Sequence, residues 1–296
     1  MAFPQGNTAI SNSHVFAEEW AATLQAQLDE PTKFKDIMDV QFTDSKVYHN
    51  PYQTDITVQT HVINSAYTPQ GVSQTDESVT LSLSRNYPVY VDRADLSWSY
   101  AKQMFHANRA GVLLNEAIES SVYADHANRT DFGAGDITGG SVADTTQITV
   151  SATNIDDIVT HVRRVISVAQ GDSLFERNGG FFVWRAADFQ LLTQFAMANG
   201  FATADSALKN GFGGNQSGFE YMGFTHYSSN LLTANHVVAG VKNVYTLAIL
   251  NATYGKLVVA DGEAGAYSGV QINSRVDFNV KAWNNTKSVL LDVNVS

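Results

Sequence analysis

Histidine, serine, aspartate and glycine are the residue types here that could carry chemistry, so their spacing is the first thing to read. The eight histidines stand at 14, 49, 61, 106, 126, 161, 226 and 236. None belongs to an HExxH pair, and none sits beside a carboxylate at metal-ligand spacing. His106 and His126 fall about 20 positions apart on one predicted helix, too far to share a metal. Each histidine is therefore expected to be a surface or hydrogen-bonded residue. Ser217 lies in GNQSG, which does not centre its serine as a GxSxG nucleophile elbow does. The run from Gly211 to Asn215 (GFGGN) falls short of GxGxxG and of a phosphate loop, which also needs GK[ST]. Asp131-Phe132-Gly133 repeats the kinase metal-binding tripeptide without its glycine-rich loop, catalytic loop or partnered lysine. Asp156 and Asp157 are adjacent, so on a helix they point about 100° apart and suit a helix start better than acid–base work. With no cysteine there is no disulfide, thiolate catalysis or cysteine-bound metal. No catalytic residue, cofactor site or metal site is expected, and the chain is not read as an enzyme.

The elements tell more than the reactive residues. Residues 1–13 are polar and read as an extended arm. Phe16, Trp20, Leu24 and Leu28 repeat every four residues until Pro31, which predicts a short amphipathic helix. From Thr54 the period changes to two. Ile56, Val58, Thr60 and Val62 would share one strand face and Val79, Leu81 and Leu83 another, around the turn-rich link NSAYTPQGVSQTDE (64–77). That pattern predicts a long two-stranded hairpin. An isolated hairpin is marginal in water, so it should lie on another surface, unless both strands join an internal sheet. A third run, Pro88 to Val91, leads back toward a long helix.

That helix is predicted over Tyr100–Asn128, with Met104, Ala107, Gly111, Leu114, Ile118 and Val122 along one face and Ser99 as its cap. At about 1.5 Å per residue it would run roughly 40 Å. Gly111 in the apolar seam predicts a close backbone approach. The loose segment NRTDFGAGDITGGSVADTT (128–146) marks a boundary. An α/β section follows. Asn154 should cap a helix with Ile155, Ile158, Val159, Val162 and Ile166 inside, and Gly171 should stop it. Phe181-Phe182-Val183-Trp184 should be a buried strand. Ala187 to Asn199 should be helical, closed by Gly200. Val270, Ile272, Val276, Phe278, Val280 and Ala282 predict a long strand. Asn284 to Lys287 should turn it, and Val289, Leu291, Val293 and Val295 should return as a closing hairpin.

A chain of 296 residues with 44% hydrophobic and 16% charged residues can bury a large core. Its net charge of −11 argues against gripping nucleic acid in a basic groove. The start, MAFPQGNTAISNS, has neither a basic segment nor an apolar core, so no signal peptide is read there. The three N-x-[ST] sites, at Asn128, Asn251 and Asn284, then carry no weight. No membrane span is predicted. A soluble protein made in a cytoplasm is expected.

The order of elements now forms a pattern. A short helix, a long hairpin, the return run YPVYVDRADLSWS and the long helix NRAGVLLNEAIESSVYAD come first. The α/β section with FFVWRAADFQLLTQFA follows, then GFEYMGFTHYSSNLL, then the closing strands. This resembles the major capsid protein of a tailed bacteriophage, an α+β architecture with the HK97-like phage capsid fold that encapsulin compartments share. The sharpest local match is Gly223-Phe224 followed by Ser229-Asn230-x-Leu232.

The resemblance implies names for the parts. Residues 1–46 would be the N-terminal arm with its short helix, and 47–92 the extended loop that lies over a neighbour. Residues 93–150 would begin the peripheral domain with its spine helix, 151–253 would be the axial domain, and 254–296 would complete the peripheral domain with the closing β-hairpin. The implied function is structural: hexamers and pentamers forming an icosahedral head around double-stranded DNA, located in the virion and assembled in the host bacterial cytoplasm. Implied partners are further copies of the chain, a scaffolding protein, a portal, a decoration protein, and genomic DNA held without sequence-specific binding. No membrane is involved.

Some relatives weld subunits through a lysine in the extended loop, but here none occurs between Lys46 and Lys102, so non-covalent contacts are expected. The start at Met1, close to the first arm helix, predicts a separate rather than a fused scaffolding domain. Phe16, Trp20, Tyr67, Pro69, Arg85 and Arg93 are the expected subunit-interface residues. An encapsulin-like shell is the alternative within the fold, and a soluble α/β enzyme the alternative from another class.

Overall fold

The computed structural model describes residues 32–66, 68–92, 103–198, 219–264 and 267–296. The predicted arm helix around Phe16–Leu28, the caps Ser99 and Gly200, and Ser217 lie outside them.

Two sheets and the helices on them organise the described chain. The first sheet is built on β14 (Tyr267–Ala282), the long strand read from its alternating apolar residues. Along one edge it pairs antiparallel with β6 (Leu83–Asp92). Along the other it pairs with β12 (Tyr245–Leu250) at one end and β13 (Leu257–Ala264) at the other. β1 (Asp39–Thr43) extends this sheet as a parallel neighbour of β12. α2 (Gln103–Tyr123), the long helix, packs on β14 and β6. Leu114, Ile118 and Val122 of the predicted seam are buried, with Ala110 in the place expected of Gly111. Gly111 differs from expectation. Nothing lies within 4 Å of where its Cβ would be, because it sits beside the buried stripe and faces outward.

The second sheet has the strand order β7-β15-β11-β8-β10-β9. These strands are β7 (Thr130–Phe132), β15 (Leu290–Asn294), β11 (His236–Val241), β8 (Gly180–Trp184), β10 (Phe224–Ser228) and β9 (Phe219–Tyr221). All five residues of β8 are buried, as its unbroken apolar run requires of a central strand. α4 (Ile155–Val168) and α6 (Ala186–Ala198) pack on each other and on this sheet. The predicted stripe of α4 is buried residue for residue. Asn154 holds the cap position, but its side chain makes no cap hydrogen bond. Its amide turns back instead, accepting from the Ser151 N–H and donating to the Thr149 carbonyl, each at 2.8 Å. Short helices α1 (Phe34–Ile37), α3 (Ala134–Thr138) and α5 (Asp172–Asn178) complete the described helices.

Three expectations need correction. The closing hairpin does not form. β14 and β15 are consecutive strands yet join different sheets, and the hairpin partner of β14 is the preceding strand, β13. The alternating run at Ile56–Val62 is extended chain without regular strand pairing. The ladder is confined to β2 (Val47–His49) with β5 (Ser78–Thr80) and β3 (Tyr52–Gln53) with β4 (Gln74–Thr75). Residues 32–43, expected as the end of an arm, belong to the folded body: Phe34, Ile37 and Met38 are buried in the main core.

Candidate assembly surfaces and a histidine–aspartate cluster

The extended limb between β2 and β5 is the least buried part of the described chain. Its base is firmly set. Val79 and Leu81 are buried against Ala248 and Trp283, with Tyr48 and Leu250 beside them. The Trp283 indole N–H donates to Thr246 Oγ1 at 2.8 Å, and the backbone N–H of Asn284 donates to Glu77 Oε2 at 3.1 Å. Beyond the base the two sides stay together by scattered bonds: Thr54 N–H to the Ser73 carbonyl at 3.0 Å, Thr57 N–H to Gln70 Oε1 at 2.8 Å, and Gln59 Nε2 to the Thr68 carbonyl at 2.8 Å. Side-chain amides replace the ladder here, which is why the strand pattern of the sequence yields no regular strand.

Ile56, Val58, Val62, Ile63 and Val72 all face solvent on this limb, Val58 at 93% and Ile63 at 81% of full exposure. Single exposed apolar residues need no explanation, but here five of them share one limb. Each would gain about 1.5–3 kcal/mol on full burial against a partner.

Of the six expected interface residues, Phe16, Trp20, Tyr67 and Arg93 lie outside the described residues. Pro69 is exposed near the limb's far end, lining a shallow hollow with Ile56, Thr57 and His61. Arg85 is exposed on β6, where its guanidinium donates to Ser121 Oγ on α2 at 3.1 Å. It ties a strand to the long helix within one chain.

The local match around Gly223 has a clear structural basis. Met222 (φ 51°) and Gly223 (φ 78°) form the two-residue turn between β9 and β10. The Cβ of any other residue at 223 would come within 2.9 Å of the Phe175 ring. Phe224 and Ser229 are fully buried, and the Ser229 N–H donates to the Trp184 carbonyl at 3.0 Å.

No histidine pairs with a carboxylate at ligand spacing along the sequence, yet the fold gathers one such group from distant segments. His126, His236 and Asp292 converge, with their ligand atoms within 4.8 Å of one another. Asp292 is fully buried on β15, between β7 and β11. Its Oδ2 lies 2.7 Å from His236 Nδ1 and 3.1 Å from His126 Nδ1. The two imidazoles stack at 3.8 Å between centroids, each about a quarter exposed. Arg129 is buried behind them, donating to the Tyr123 carbonyl at 2.6 Å and lying 3.6 Å from Asp292 Oδ1. Sequence separations of 110 and 56 positions leave no spacing motif to find, so only the fold reveals this group. A second surface pair, His49 with Asp76 at 2.7 Å, is exposed on the limb.

No helix among the described residues is long and apolar enough to cross a membrane. No family model matches the sequence, and no curated protein matches it. Solved structures do. A chain from Mycobacterium phage Che8 superposes with TM-score 0.68 at 15% identity, covering 95% of this chain and 97% of that one. The capsid of Ralstonia phage GP4 gives TM-score 0.63 at 8% identity over 94% and 95%. A virus-like particle from Pyrococcus furiosus gives 0.56 at 12% identity over 89% and 92%. At such identities the likeness speaks to fold. Over nearly its whole length, this chain shares the fold of a phage capsid subunit.

Proposed function

We propose that this chain is the major capsid protein of a tailed bacteriophage, a structural protein with no enzymatic role. Copies of it would form hexamers and pentamers and close into an icosahedral shell around double-stranded DNA. The observation that carries the proposal is the end-to-end likeness to a phage capsid chain, 94% of one and 95% of the other. The solvent-facing apolar limb supports it. Its Ile56, Val58, Val62 and Ile63 find no cover within the described chain, and a neighbouring copy supplies one. The net charge of −11 fits an inner wall that repels packaged DNA and does not retain it. The lysine-free stretch from 47 to 101 supports a shell held by non-covalent contacts. A separate scaffolding protein, a portal and a decoration protein remain part of this proposal, as does assembly in the host bacterial cytoplasm.

Negative-stain electron microscopy of the purified protein at high concentration tests the class. Hollow uniform shells, or flat hexamers and pentamers, are the expected result. Compact dimers or tetramers at every concentration would overturn it. The virus-like particle among the similar structures favours a second reading, an encapsulin-like shell. Particles recovered from producing cells would then hold a protein cargo, whereas the capsid reading predicts nuclease-protected DNA in particles made with the complete phage machinery.

A further inference from the structure

We propose that His126, His236 and Asp292 form a binding site for one divalent cation of the zinc class, clipping the end of the long helix to the six-stranded sheet. The three residues come from three places: a 3-10 turn just after α2, the first residue of β11, and the middle of β15. Two imidazole nitrogens and one carboxylate oxygen suit zinc, cobalt or nickel, and they suit magnesium or calcium poorly, because those ions prefer all-oxygen shells.

The distances fit a shared ion. Bonds of about 2.0–2.1 Å in a tetrahedral site place neighbouring ligand atoms about 3.3 Å apart. The Asp292 Oδ2 edges to the two Nδ1 atoms are already 2.7 and 3.1 Å. The rings stack with 27° between their planes, so binding one ion through both Nδ1 atoms requires them to splay until both in-plane lone pairs meet at one centre. The carboxylate is buried while both rings reach the surface, so an ion has a way in and a fixed anchor.

His126 Nδ1 lies 3.1 and 3.2 Å from the two Asp292 oxygens, and Arg129 has its own acceptors in the Tyr123 and Val122 carbonyls. Without an ion each imidazole donates from Nδ1 to Asp292, so an ion would replace those two hydrogen bonds. A cation on the shared triangle takes the lone pairs of both Nδ1 atoms and of Oδ2, leaving Oδ1 to Arg129 as an outer partner. The surrounding charge tolerates the ion. The Tyr245 hydroxyl donates to Asp125, and Arg129 lies 3.6 Å from Asp292, so two carboxylates stand near one guanidinium. Three protein ligands leave the fourth position of a tetrahedral ion to water.

The test uses the full-length protein, stripped with a chelator and titrated with Co²⁺ while its visible absorption is followed, then challenged with Zn²⁺. The expected result is one equivalent of Co²⁺ per chain with an intense tetrahedral-type spectrum, displaced by Zn²⁺ and unaffected by Mg²⁺, and a higher Tm in the loaded protein. His236→Ala should weaken binding by at least about 100-fold, since even an outer-partner change costs 10–100-fold. His126→Ala gives the same readout should the first variant fold poorly. His49→Ala removes the exposed pair on the limb and should bind as the parent does. Absence of saturable one-to-one binding, or binding equally strong in both cluster variants, would overturn the site.

Discussion

The indole N–H of Trp184 donates to Nδ1 of His226 at 2.9 Å, joining two parallel neighbouring strands through rings that are both fully buried. His226 Nε2 lies 3.3 Å from the Tyr221 carbonyl, so the neutral tautomer with its proton on Nε2 satisfies both contacts. Burial holds the imidazole down at a pKa of about 3 against an ordinary 6.5, opposed only in part by the Tyr221 carbonyl. Between those values the unfolded chain binds a proton that the folded chain refuses. Stability therefore falls as pH drops below 6.5, by about 1.4 kcal/mol per pH unit from this residue, and is insensitive to it above. In His226→Gln the amide oxygen still accepts from Trp184 without titrating. Urea melts at pH 6.5 and 5.0 should show the parent losing about 2 kcal/mol more than the variant.

Glu119, fully buried on α2, is the lock for the chain entering the body. Its Oε2 accepts from the Lys33 N–H at 2.5 Å and the Phe34 N–H at 3.4 Å, while Oε1 accepts from the Tyr123 hydroxyl at 2.5 Å. Burial pushes its carboxyl up, with the Tyr123 and backbone bonds opposing. Glu119→Ala orphans these donors and should cost about 3 kcal/mol; Glu119→Gln keeps an acceptor and should cost about 1 kcal/mol. Urea midpoints of the two variants measure the difference. Equal losses would show that the hydrogen bonds to residues 33 and 34 contribute nothing.

Val58 separates assembly from folding. At 93% exposure, Val58→Asp should change subunit stability by less than about 0.5 kcal/mol. The same charge would have to be desolvated wherever the limb is covered by a neighbour. The expected outcome is a normal subunit Tm with shells lost or sharply reduced by sedimentation. Unchanged shell yield would show that this side chain is not buried on assembly.

Limited proteolysis reads the same limb in another way. Free subunits should be nicked between residues 64 and 77, where nearly every described residue is exposed, while assembled particles resist. Mass spectrometry of the fragments locates the cut. Cleavage at equal rates in both states would remove the limb from the contact between copies.

Gly133 reports on the loop after β7. A Cβ there would lie 1.9 Å from the Asp144 carbonyl oxygen and 2.5 Å from that of Thr146, both backbone atoms that cannot swing away. Gly133→Ala should destabilise the protein by about 3 kcal/mol, at the upper end of overpacking costs. Thermal melts of the variant check this.

The three longer described helices and the most buried strand are legible because their signals are local, whereas the short helices α1, α3 and α5 have too few turns to show a period. The stripe Ile155, Ile158, Val159, Val162 and Ile166 specifies a helix and its inner face whatever the helix packs on. The unbroken run Phe181 to Trp184 specifies a strand covered on both sides. The exposed limb was legible in part. Its link chemistry predicts a projecting turn, but the alternation at Ile56–Val62 overstated the ladder, since period two needs a paired partner to become a strand and side-chain amides took that place. The resemblance to phage capsid proteins came from the order of elements, and phage capsid structures superpose on nearly the whole chain.

By itself the sequence determined the long helix, the helices of the α/β section with the inner face of α4, and the buried strand β8, because periodicity is a property of neighbours along the chain. Only the tertiary structure decided which extended segments pair. β14 and β15 look like a hairpin across Asn284–Lys287, yet β14 binds β6, β12 and β13 while β15 slots between β7 and β11, where all five of its residues are buried. Burial on both faces outweighed the short turn. The same choice carries Asp292 to His126 and His236. Residues so far apart in sequence meet only once the sheets have formed, and no spacing along the chain could have announced them.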